Sequence, residues 1–137
     1  MITDGSDVNI TAEGLSSSLD FYYAVDGSGT WNFEQVAADD TTTTAPSMTL
    51  DGSDVNLTAA GAKGSLDFYY AVNGSATWNP EQVAGPDTTT SAASMTTDGN
   101  DVNIAAAGAG GSLDFYWAMN GSGIWNFEQV APPGTVG

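Results

Sequence analysis

Five-residue clusters recur three times in this 137-residue chain: Trp31-Asn32-Phe33-Glu34-Gln35, Trp78-Asn79-Pro80-Glu81-Gln82 and Trp125-Asn126-Phe127-Glu128-Gln129. An indole face suits the C–H side of a pyranose, and carboxylate, carboxamide and indole N–H groups beside it suit the sugar hydroxyls. This chemistry makes Trp31, Asn32, Glu34, Trp78, Asn79, Glu81, Trp125, Asn126 and Glu128 the candidate ligand-binding residues. The competing reading is structural. Large aromatics mostly pack in cores, asparagine caps turns, and Glu and Gln stay solvated or bond to backbone.

Two further columns could do chemistry. Asp20, Asp67 and Asp114 each stand two residues before a tyrosine, Tyr22, Tyr69 and Tyr116. That spacing puts Asp and Tyr on one face of a strand, either bordering a pocket or joined in a hydrogen bond that satisfies a partly buried carboxylate. The acidic turns Asp4-Gly5-Ser6-Asp7, Asp51-Gly52-Ser53-Asp54 and Asp98-Gly99-Asn100-Asp101 carry oxygen ligands that suit calcium, but they do not fit the EF-hand spacing. Asp-Gly is also what a tight strand-to-strand turn requires, and the turn is the expected role, so no metal site is assigned.

The rest of the composition excludes whole classes. The chain has no Cys and no His, which removes zinc sites, thiolate chemistry, imidazole bases and disulfides. One Lys+Arg stands against 17 Asp+Glu, a net charge of −16, and Lys63 is that sole cation. A nucleic-acid or anionic membrane surface needs the cations this chain lacks. No cofactor and no catalytic residue is implied, since carboxylates alone are weak grounds for a glycosidase. The start Met1-Ile2-Thr3-Asp4 lacks the charged and apolar regions of a signal peptide, and the compartment stays open.

The elements that position these residues come in three copies. Asp4, Asp51 and Asp98 are 47 residues apart, and Trp31, Trp78 and Trp125 keep that spacing without insertion or deletion. The copies span 1–46, 47–93 and 94–137 as one repeat domain. In the second copy the pattern predicts four strands, near Ser47 to Leu50, Val55 to Ala59, Leu66 to Val72 and Trp78 to Ala84. Turns at Asp51-Gly52-Ser53-Asp54, Gly61 to Ser65 and Asn73-Gly74-Ser75 separate them. The third strand alternates Leu66, Phe68, Tyr70 and Val72 with Asp67, Tyr69 and Ala71, and aromatic bulk on both faces fits a sheet covered on both sides. Pro80 cannot donate to a ladder, which places the fourth strand at an edge. The threonine runs 41–44 and 88–90 read as hydroxyl-rich connections.

Four-stranded units with an outer edge strand are the blades of a β-propeller, and the fold expected is all-β with three such blades. Three units also suit a β-trefoil, which is the alternative. The stretch GSLDFYYAVNGSATWNPEQVAG resembles the repeat of secreted actinobacterial proteins of the lectin-like and sialidase-like propeller class. VDGSGTW, VNGSATW and MNGSGIW resemble degenerate Asp-box turns, without the leading Ser/Thr and with Asn73 and Asn120 where Asp26 stands. The resemblance implies sugar binding between neighbouring blades. It also implies an arginine in the pocket of many fucose-binding members and an arginine cluster in sialidases, and this chain has no arginine.

Closed propellers need four or more blades, so three would leave a sheet face bare at each end. A homodimer closing a six-bladed ring is expected, with glycans as partners. The leading function is a non-enzymatic, multivalent carbohydrate-binding protein. A self-assembling structural element without a small-molecule ligand is the competing function.

Overall fold

The computed structural model describes all residues, Met1–Gly137. Twelve strands form three separate four-stranded antiparallel sheets. The first holds β1 (Ile2–Asp4), β2 (Asp7–Glu13), β3 (Leu19–Ala24) and β4 (Asn32–Ala37). The second holds β5 (Ser47–Asp51), β6 (Asp54–Ala60), β7 (Leu66–Ala71) and β8 (Asn79–Ala84). The third holds β9 (Ser94–Asp98), β10 (Asp101–Ala107), β11 (Leu113–Ala118) and β12 (Asn126–Ala131). Each sheet runs in chain order, and no strand pairs outside its own copy. These are propeller blades. A trefoil would share its strands in a common barrel, and that arrangement is absent. No helix is long and apolar enough to cross a membrane.

Local chemistry sets the element ends. The Asp-Gly turns bring Asp51 opposite Asp54, with Gly52 at φ 59°. The third strand of the middle blade stops at Ala71, one residue before the predicted Val72, because Asn73 takes φ 50° in a short 3-10 turn, Val72–Gly74. Asn tolerates that left-handed conformation better than most side chains, and the same backbone recurs at Asp26 and Asn120. The fourth strands are outermost in every sheet, so Pro80, opposite Tyr69, lies on an edge strand, where a residue without a backbone donor is tolerated.

Two hydrophobic clusters hold the blades face to face. Leu19 and Phe21 of the first blade pack against Val55, Leu57 and Tyr69 of the second. Leu66 and Phe68 of the second pack against Val102, Ile104 and Tyr116 of the third, with Ala93, Met95 and Ala106 around them. Odd-numbered positions of β3 therefore look forward to the next blade, as do the even-numbered positions of β7, while the intervening residues look back. In the middle blade both faces are apolar because both are covered.

The threonine runs fasten each connection to the following blade. Thr43 N–H donates to Ala60 O at 2.9 Å, and Ala62 N–H donates back to Thr41 O at 2.9 Å. Thr42 and Thr89 bridge to Gly61 and Gly108. Gly61 is needed there, since a Cβ would collide with the Asp67 carboxylate and the Ser65 hydroxyl.

Candidate functional site

The residues of the Trp-Asn-x-Glu-Gln column meet across the seams between blades and not within one copy. Trp78 Nε1 of the second blade donates to Glu34 Oε2 of the first at 2.8 Å. Trp125 Nε1 of the third donates to Glu81 Oε2 of the second at 3.0 Å. Each indole also meets a phenylalanine of the preceding blade edge to face, with Phe21–Trp78 and Phe68–Trp125 centroids both 5.2 Å apart. This places two of the three tryptophans and two of the three glutamates in pairs. Trp31, 49% exposed, and Glu128, also exposed, stand at opposite ends of the chain without such a partner.

The asparagines do something else. Asn32, Asn79 and Asn126 each send Nδ2 to the third-strand carbonyl of Tyr23, Tyr70 and Trp117, at 3.3, 3.2 and 3.3 Å. They fix the start of the fourth strand and line neither cleft.

Beside each Glu–Trp pair lies a cleft. The one between the second and third blades, about 110 Å³, is lined by Asp51, Asp54, Asn56, Phe68, Tyr70, Glu81 and Trp125, with Gly121 and Gly123 at its rim. The one between the first and second is larger, about 230 Å³, and is lined by the corresponding Asp4, Asp7, Asn9, Phe21, Tyr23, Glu34 and Trp78, with Asn73, Gly74 and Ser75 at the rim. The rim loops differ. Ser122 is helical (ψ −16°) and Gly123 has φ 67°, whereas Ser75 is extended (ψ 150°) and Ala76 follows it where Gly123 stands. A Cβ on Gly123 would come within 3.1 Å of Glu81 Oε1, so glycine lets that loop close on the carboxylate.

The acidic turns belong to these clefts, a role the sequence reading missed. Asp7, Asp54 and Asp101 each accept through Oδ1 a backbone N–H from Asp26, Asn73 and Asn120, at 2.8, 2.7 and 2.9 Å. One carboxylate of each turn thus pins the left-handed residue of the rim loop. The period-47 pattern held the signal: every acidic turn is followed at constant distance by an Asx-Gly pair. Phe21, Phe68, Tyr23 and Tyr70 were also missed, because strand alternation read them as core alone.

The Asp–Tyr column lies on the backward face of each blade. Ser18 Oγ donates to Asp20 at 2.9 Å, and Ser65 Oγ donates to Asp67 at 3.0 Å. Burial pushes the Asp67 carboxyl up, against the opposing pull of the Ser65 hydroxyl. It pushes Tyr69 up to about 12, with the Asp67 charge adding to the effect. Tyr116 is raised by burial and then by Asp114. Asp114 Oδ1 is buried without a hydrogen-bond partner, beside an open groove that Tyr116, Phe127 and Gln129 share.

The arrangement offers carboxylate acceptors and aromatic faces in a concave cleft, repeated at constant spacing. That is the equipment to hold a polyhydroxylated ligand. No protein-family model and no curated protein matches the sequence. Solved structures do. The chain is similar to the BP39L lectin from Burkholderia pseudomallei, with a TM-score of 0.81 and 17% identity over 93% of this chain. It spans 38% of that lectin's length. It is also similar to a fucose lectin from Kordia zhangzhouensis, solved in complex with methyl-fucoside, with a TM-score of 0.68 and 17% identity over 94% of this chain and 96% of that one. The fold is that of bacterial propeller-type lectins.

Proposed function

We propose that this chain is a lectin-like, non-enzymatic carbohydrate-binding protein, that its ligands sit in the clefts between neighbouring blades, and that two chains close a six-bladed ring. One observation carries the reading: the hydrogen bond from Trp to Glu that joins each blade to the next beside a cleft walled by aromatics and carboxylates. The lectin folds of its structural neighbours support it.

The same hydrogen bond supports the ring. Glu128 is a donor-seeking carboxylate at one end, and Trp31 is an unpaired indole at the other. The loop before Trp31 has the backbone that docks on Glu81 inside the chain: Ser28 is helical (ψ −16°) and Gly29 has φ 74°. Thr97 Oγ1 donates to Leu50 O at 2.9 Å across the inner strands of one seam, and Thr3 stands in the column of Thr97. A second copy therefore presents what the open end lacks.

Glycan-array binding measured together with sedimentation velocity tests the reading. The expected result is saturable binding of a sugar by a particle of about 28 kDa, twice 14.0 kDa. A ligand-free structural ring is the second reading, favoured by the commitment of Glu34 and Glu81 to indole partners. A dimer that binds no glycan establishes that reading instead.

A further inference from the structure

We propose that the two clefts formed where the chains meet are a second class of site, and that they favour a sugar carrying a free amine over its neutral counterpart. The inference rests on the ring of two chains proposed above. Inside the chain, Asp4, Asp7, Tyr23 and Glu34 face Trp78 and Asn73 of the next blade across one cleft. In the repeat, the same columns at the junction are Asp98, Asp101, Trp117 and Glu128 of one copy and Trp31 and Asp26 of the other. Neither copy holds the cleft alone.

Two substitutions set the junction apart. Trp117 stands where Tyr23 and Tyr70 stand, and Asp26 stands where Asn73 and Asn120 stand. Trp117 lies stacked on Phe115, with centroids 5.5 Å apart and planes at 20°, and both are half-buried on the open face. Asp26 has the backbone of its counterparts, φ 50° and ψ 31° against 50° and 36° at Asn73, so its side chain leaves the rim from the same place. The Ser6 hydroxyl donates to Asp26 Oδ1 at 2.7 Å and steadies the carboxylate.

The consequences follow from elementary electrostatics. Asp26 brings the carboxylates around the junction to four, where each internal cleft has three. Ionised carboxylates only accept, so a ligand that supplies extra donors and positive charge gains most. An indole is the best cation–π face among the aromatic side chains, and the junction has Trp117 on one wall and Trp31 on the other. The one cationic side chain, Lys63, lies in the β6–β7 loop, at the far end of the strands from the clefts, and does not compete. An ammonium on the sugar thus meets more charge and more indole at the junction than inside a chain.

Fluorine NMR of the full chain labelled with 5-fluorotryptophan tests this, with sedimentation velocity on the same sample. The chain is titrated with methyl glucosaminide at about pH 6, where the amine is protonated, and separately with methyl glucoside. The expected result is a dimer in which Trp31 and Trp117 respond together. Their midpoint should be about two- to fivefold lower for the glucosaminide than for the glucoside, while Trp78 and Trp125 discriminate less. Asp26→Asn and Trp117→Tyr install residues the other copies already carry. Each should reduce the preference at the junction and leave Trp78 and Trp125 titrating as before. A dimer in which all four resonances share one midpoint per sugar, or in which Trp117 does not respond, overturns the inference and leaves the ring standing. A monomer that binds at Trp78 and Trp125 overturns the ring and the inference together.

Discussion

Phe68 and Phe115 occupy the same column of successive repeats, yet Phe68 is 5% exposed and Phe115 is only half-buried. The backward faces show the same contrast. Tyr69 and Tyr116 are buried at 8% and 5%, while Tyr22 of the first blade is half-buried. The strand order and the pairing register are the same in all three blades. Burial at a given position is thus decided by what the neighbouring blade supplies. A seam inside the chain and an end of the chain are the same surface in two states, one with its complement and one without.

Truncating the two phenylalanines is the strongest way to break that equivalence. Phe68→Ala should cost about 3–5 kcal/mol in chemical denaturation, since it empties a packed seam. Phe115→Ala should cost the dilute chain much less and instead dissociate the proposed dimer, read by sedimentation. Equal losses at both sites under dilute conditions would mean that the ends are not free.

The seam hydrogen bond gives the next largest effect. Glu81→Gln replaces a charged acceptor of the Trp125 indole with a neutral one and should lower stability by about 1–2 kcal/mol. Glu128→Gln has no such partner within the chain. It should leave dilute-chain stability unchanged and weaken the proposed dimer by about tenfold, measured as a dissociation constant.

Titration sharpens the comparison at the covered face. Tyr69 has a folded-state pKa of about 12 against 10.0 for a free tyrosine. Its contribution is complete below about pH 10 and is lost as pH rises through its folded value, so melting temperature should fall across that window. Tyr69→Phe should flatten that limb. Asp67 is raised as well, so its favourable contribution is full only below 3.8 and is gone once pH passes its folded value. Asp67→Asn should therefore raise the melting temperature at neutral pH.

Salt is the smallest lever. With a net charge of −16 per chain, a dimer repels itself, and screening relieves the repulsion. Melting temperature should rise between 20 mM and 0.5 M NaCl, as the Debye length falls from about 20 Å to about 4 Å. A fall would mean that specific contacts hold the acidic groups.

Periodicity made the blades legible before any coordinates. The invariant spacing, the strand alternation around Phe68 and Tyr69, and the edge proline at position 80 all reflect local rules that survive in the fold. The clefts were legible only in part. Trp78 and Glu81 look like one cluster because they are near in sequence, but a β-bonded unit turns Trp78 toward the first blade and Glu81 toward the third, where its partner lies 44 residues on. Sequence proximity carries no record of which seam a side chain enters. The asparagines misled for a related reason: their backbone bonds to Tyr23, Tyr70 and Trp117 reach across a strand pair, a distance of nine residues.

All ladder hydrogen bonds close within one copy, and each connection is fastened by threonines to the blade that follows. A unit of this kind can be inserted or removed whole. Unequal recombination between similar 47-residue segments adds or deletes one blade without leaving an unpaired strand. Each in-frame duplication also creates one more Glu–Trp seam and one more cleft, so the number of clefts is set by gene length while the architecture of each stays fixed.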